Sequence, residues 1–230
     1  MVANNYYRVS ALPALGDLGT PPPLTLADLR EHLAESGRAL ALVEAILLAD
    51  DLMQREAFLA SEIREVTPAV LTAAQVRGDE ALPDYLAPAD EPTPPRIASD
   101  AVWAAYFHHA AGVADRLASP FLAEWIAHEV ALRNALAAAR ATALGLESAP
   151  YLVAADLGRS DEDFAAVISE WSAAADPLAG LRVLDRVRWT WLVEHDGWFS
   201  FADDELAAYA AKLMLLVRWQ RLSAESHGPG

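Results

Sequence analysis

Residues 119–145, SPFLAEWIAHEVALRNALAAARATALG, decide the fold class of this chain. Ser119 before Pro120 supplies an N-cap and a proline at the first helical position, where a missing N–H costs nothing, and Gly145 supplies a left-handed stop. Nothing between them breaks a helix. Leu122, Trp125/Ile126, Leu132, Leu136 and Ala139/Ala143 recur at three- to four-residue spacing and form one apolar stripe, flanked by alanines where a neighbouring helix can approach closely. The stretch therefore reads as a core helix. Glu129 and Arg133 stand four apart in the favourable order, and Arg133, Asn134 and Arg140 put polar groups into the second half of a helix otherwise poor in them.

The same signals extend outward. A helix capped by Ser99 or Asp100 runs through Val102, Trp103, Tyr106, Phe107 and Val113 to Ala118, and the near absence of a loop before Ser119 predicts antiparallel pairing with the central helix. Upstream, Thr25 and Asp28 form a capping-box pattern that opens a helix with Leu26, Leu29 and Leu33 on one face, ended by Gly37. Arg38 to about Ala60 follows as a further helix, while Asn4–Leu15, cut at Pro13 and Gly16, reads as a short extended or helical lead-in. Downstream, a helix beginning near Asp161 carries Phe164, Val167, Ile168 and Trp171. Asp176-Pro177 then starts a helix that ends at His195-Asp196-Gly197, and Ser200 with Asp203 starts a last one, Ala202 to about Ala224. The expected fold is all-α, a multi-helix bundle in a single domain of residues 1–230. The proline-rich stretch at about 67–98 is either a boundary within it or a long surface connection.

Composition narrows the function classes. Hydrophobic residues make up 54%, ample for a core, and alanine dominates them, which favours many packed helices. A formal charge of −16 argues against nucleic acid and anionic lipid as partners, because both are repelled at long range. The chain has no cysteine, which removes disulfides, thiolate catalysis and cysteine metal sites. The opening MVANNYYRVSALPALG shows no basic segment followed by an apolar run, and no apolar stretch reaches the length of a membrane span, so a cytoplasmic protein without a signal peptide is expected.

The side chains that could carry chemistry are few. His108, His109, Glu124 and His128 could converge as a metal site if their helices pair, but adjacent histidines on a helix point about 100° apart, and neither HExxH nor paired Glu-x-x-His occurs. Glu194, His195 and Asp196 sit at a helix C-terminus, where a protonated histidine is simply a good dipole partner. Asp50-Asp51, Asp161-Glu162-Asp163 and Asp203-Asp204-Glu205 are expected mostly as solvated first-turn caps. Trp103, Trp125, Trp171, Trp191 and Trp219 fall in apolar stripes and are expected to pack. No phosphate-binding glycine loop or nucleophile elbow is present, so no catalytic, cofactor-binding or metal residue and no small-molecule substrate is predicted.

Three stretches together, NYYRVSALPAL followed by PPPLTLADLREHL, the central ALRNALAAARATALG, and the terminal FSFADDELAAYAAKLMLLVRWQRL, resemble a family of bacterial proteins of about this size whose genes accompany the subunits of V/A-type ATP synthases. The central segment is also similar in style to the funnel-shaped socket of those enzymes, which seats the central stalk on the rotor ring and corresponds to the d subunit of vacuolar ATPases. The resemblance implies a non-catalytic coupling or assembly subunit, peripheral to the inner membrane through protein contacts with the central stalk and rotor ring. It further implies a shortened version of the funnel. Arg133, Asn134 and Arg140, with Tyr209 and Trp219, are the positions carried over as family-pattern residues. Arg218 and Arg221 flank Trp219, an Arg/Trp combination enriched where interfaces concentrate their energy, and they join the expected partner-contact set. Two other classes stay open. One is a helical adaptor unrelated to ATP synthase, and the other is a metal-dependent enzyme built on His108, His128 and Glu124.

Overall fold

A computed structural model describes residues 2–87, 97–159, 161–197 and 200–225. Nine α-helices and no strand occur among the described residues. They are α1 (Val2–Ala11), α2 (Leu26–His32), α3 (Gly37–Leu59), α4 (Ala73–Arg77), α5 (Ala98–Arg116), α6 (Pro120–Ala143), α7 (Ala165–Ser172), α8 (Pro177–Glu194) and α9 (Asp203–Glu225). None of these helices is long and apolar enough to cross a membrane. The chain divides into two compact units, one of Met1–Asp50 with Ser169–Gly230 and one of Asp51–Ile168. The divisions fall inside α3 and α7. The described parts of the proline-rich stretch belong to the second unit, and residues 88–96 of it lie outside the described residues.

In the first unit, α9 and the opening half of α3 are buried on nearly every side. Leu206–Ala208, Ala210, Ala211 and Leu213–Leu216 lose almost all solvent contact, as do Leu42, Val43 and Ala45–Leu48. A helix apolar all round can be stable only with neighbours all round. Here α1, α2 and α8 pack on α9, and its run of alanines lets them approach closely. The lead-in thus forms a full helix, α1, held by Asn5 donating to Asp203 at 3.0 Å. Thr25 and Asp28 make the reciprocal capping box at the start of α2. The Thr25 amide and hydroxyl hold the Asp28 carboxyl below its usual range. Gly37 opens α3 instead of closing α2, which ends at His32 with Leu33 as its cap. Asp176 caps α8 by accepting from the Ala179 amide at 2.8 Å, with Pro177 at the first position.

In the second unit, α5 and α6 form a helical hairpin around Trp103, Tyr106, Phe107, Trp125, Ile126 and Leu132, all buried. Residues 117–119 make the turn, with Ala118 in the left-handed region at φ 44°. Ser119 then caps α6 through the Leu122 amide at 3.1 Å, and Gly145 follows the helix at φ 69°. No side chain caps α5, whose N-cap is Ile97. Asp100 lies inside its first turn and is turned to α6. Thr72 and Gln75 form a second capping box on α4. Of the five tryptophans expected in apolar stripes, Trp103 and Trp125 are buried, while Trp171, Trp191 and Trp219 are half-buried.

Candidate functional site

The polar residues singled out on α6 are anchors within the second unit. Arg133 lies 3.1 Å from Asp100 on α5 and stacks over the Trp103 ring, 4.7 Å from its centroid, so it ties α6 to α5. The Trp103 indole N–H in turn donates to Glu56 at 2.9 Å. Asn134 offers its amide like a short strand: Nδ2 donates to the Val153 carbonyl at 3.0 Å and Oδ1 accepts the Val153 amide at 2.8 Å, fixing the chain after α6. Arg140 is exposed near the C-terminal end of the same helix, beside the exposed Leu144 and Leu146.

The histidines go to separate partners. His108 meets Asp156 at 3.2 Å and the Ala104 carbonyl at 2.8 Å, and His109 stacks on Tyr85 at 4.3 Å. Burial first and Arg116 second hold the His109 imidazole below its usual range. His128 is buried between Trp125 and Phe164, with Nδ1 2.6 Å from Glu162. Among the described residues, no group of three or more His, Asp or Glu side chains is placed to hold a metal ion. His195 caps the end of α8, its ring stacked 4.0 Å from Trp191 and bonded to the Trp191 carbonyl.

Acidic residues expected in solvent are among the most deeply buried charges of the described residues. Asp51, fully buried, accepts the amides of Ala69, Val70 and Leu71 at 2.7, 2.8 and 2.7 Å and holds that loop in place. Asp50 is 1% exposed and pairs with Arg221. Asp185, for which the sequence carries no local signal, has no exposure. It takes Arg218 at 3.2 Å and Arg188 at 3.4 Å on one oxygen. For Asp50 and Asp51 the available signal was a pair of aspartates in the middle of the apolar run AILLADDLM, because an isolated buried charge is too costly to persist.

Arg218 and Arg221 therefore turn into the first unit, not away from it. Trp219 between them packs over Gly19, whose φ of 99° only glycine adopts easily, and under the Arg182 guanidinium at 5.6 Å. Tyr209 donates its hydroxyl to the Pro13 carbonyl at 2.8 Å, and burial pushes its pKa up to about 12. Lys212, the only lysine, is closed onto Asp196 at 2.5 Å. These groups form two sets of internal ties, one per unit. The chain matches no family model, no curated protein and no solved structure.

Proposed function

We propose that the protein is a non-catalytic coupling or assembly subunit of a V/A-type ATP synthase, held to the central stalk or rotor ring by protein contacts. The observation that carries this reading is where the resembling stretches lie. NYYRVSALPAL, PPPLTLADLREHL and the terminal FSFADDELAAYAAKLMLLVRWQRL include α1, α2 and α9, and in the first unit α1 and α2 both pack on α9. The opening and terminal stretches thus belong to one packed body, while the central ALRNALAAARATALG lies along α6 in the second unit. Such clustering is expected of a unit kept for a shared role. Further support comes from the ionisable groups: Asp50, Asp51, Asp185, Arg218 and Arg221 are committed to holding backbone or helices together, which suits a mechanical part. The charge of −16 favours basic protein partners over anionic lipid.

The test is a chromosomally tagged copy purified from native membranes, together with a deletion strain. Stalk or rotor subunits should co-purify, and ATP-driven ion pumping should fall in the deletion strain with hydrolysis retained. No co-purification, together with normal assembly and coupling in the deletion strain, would overturn the proposal.

A further inference from the structure

In the first unit a groove of about 530 Å³ runs between α1 with the turn after it, the C-terminal end of α8 and the first half of α9. Leu206 and Ala208 in its lining are buried, and Tyr6, Trp189, Phe201 and Tyr209 add aromatic faces. Tyr6 packs 5.0 Å from Phe201, and the Tyr209 hydroxyl is taken by the Pro13 carbonyl, so Tyr209 offers the groove its ring. Hollows of about 300–1,000 Å³ with aliphatic and aromatic walls and a few polar groups are the usual sites of small molecules.

One polar point in this lining selects among them. Lys212 and Asp196 both face the groove, paired at 2.5 Å, with only 12% and 17% of their side-chain surface exposed. An ammonium carries three N–H donors, and Asp196 is the acceptor that the described residues give Lys212, so donors are left for an occupant. An anion would have to draw Lys212 off Asp196 inside a largely apolar hollow, against a chain of net charge −16. A cation would meet the ammonium at the same point. An uncharged molecule with an oxygen acceptor leaves the ion pair intact and uses the remaining donors. Aromatic walls favour flat rings, which stack on them or meet them edge-on.

We propose that this groove binds an uncharged aromatic carbonyl compound, with its rings against the aromatic walls and its carbonyl oxygen accepting from Lys212 Nζ. The proposal stands on the groove alone and holds whether or not the chain serves a rotary ATP synthase. The probe is prodan, an uncharged naphthalene ketone whose emission shifts to the blue in an apolar site, titrated into the full chain. Two comparators accompany it: dimethylaminonaphthalene, which lacks the carbonyl, and anilinonaphthalene sulfonate, which is flat but anionic. Prodan should saturate at one per chain and bind about tenfold more tightly than either comparator. Val193→Arg puts a charge on the exposed lip, where circular dichroism should match the wild type, and should weaken prodan at least tenfold. The double variant Asp196→Ala/Lys212→Met removes the polar point and should bring prodan down to the affinity of dimethylaminonaphthalene while leaving the latter unchanged. Absence of saturable prodan binding, equal or tighter binding of either comparator to the wild type, or affinity unchanged in Val193→Arg would overturn the proposal. So would a dimer in light scattering that Val193→Arg splits, which would give the groove to a second copy. Selection from a random peptide library of a binder that Val193→Arg blocks, with no binding of prodan, would overturn it in favour of a partner protein.

Discussion

Asp51→Ala is the sharpest test of how the second unit is held. The wild-type carboxylate receives three backbone N–H groups at 2.7–2.8 Å from residues 69–71, and Ala69 and Leu71 are themselves buried. Alanine removes the acceptor and leaves these donors behind. A buried donor stripped of its partner costs about 1–3 kcal/mol, so two buried donors set a range of about 2–6 kcal/mol before relaxation. Water entering as the loop loosens recovers part of this. We therefore expect about 3–4 kcal/mol, a large fraction of the ~5–15 kcal/mol that holds a typical domain. The ordinary alternative, an exposed acid in a long helix, predicts a change within about 0.5 kcal/mol. Urea unfolding followed by circular dichroism separates the two, and Asp51→Asn, which keeps one acceptor oxygen, should fall between alanine and wild type. A loss below about 1 kcal/mol for Asp51→Ala would refute the claim that this carboxylate organises the loop.

Three further outcomes are expected. Arg133→Ala should cost about 1–2 kcal/mol, read as a drop in thermal midpoint, because it removes both the ion pair to the mostly buried Asp100 and the stacking on Trp103; Arg133→Lys should restore only part of it. Arg221→Ala removes an ion-pair partner of the buried Asp50 carboxylate and should cost about 2–4 kcal/mol, whereas the double variant Asp50→Leu/Arg221→Met should be less destabilised than the single one in the same denaturation assay. Burial lowers the His109 pKa, so the folded state favours neutral imidazole. Its contribution is present above the ordinary value of about 6.5 and is lost as pH falls through the lower folded value; His109→Gln should flatten the decline in thermal midpoint between about pH 7 and pH 5.

Helix ends were legible where the signal is local. Ser119-Pro120, Asp176-Pro177, Thr25 with Asp28, and Gly145 each act within one turn of their own position, and each does what its residue type dictates. Asp100 and Gly37 depart from their expected roles for the opposite reason. Asp100 has a use for its side chain on another helix, and Gly37 sits where the backbone needs no left-handed turn. The same limit hid the buried acids. Asp51 finds its partners 18–20 residues away, and Asp50 finds Arg221 171 residues away, so the apolar run around them signals burial but no pattern within one helix names the partners. The groove was equally invisible, since α1, α8 and α9 bring its walls together from both ends of the chain.

The way the cations are used sharpens the meaning of the net charge. Arg188, Arg218 and Lys212 keep only 14%, 13% and 12% of their side-chain surface exposed, each turned onto an acid of the chain. Those three positive charges are thereby withdrawn from the surface, while Tyr6, Tyr7 and Val193 remain on it. A partner approaching the first unit meets an acidic field with an apolar lip. Such a field speeds the encounter of a basic partner and turns away an anionic one, and it is screened beyond about 8 Å at physiological ionic strength. Salt should accordingly slow association of a basic partner more than it hastens its release.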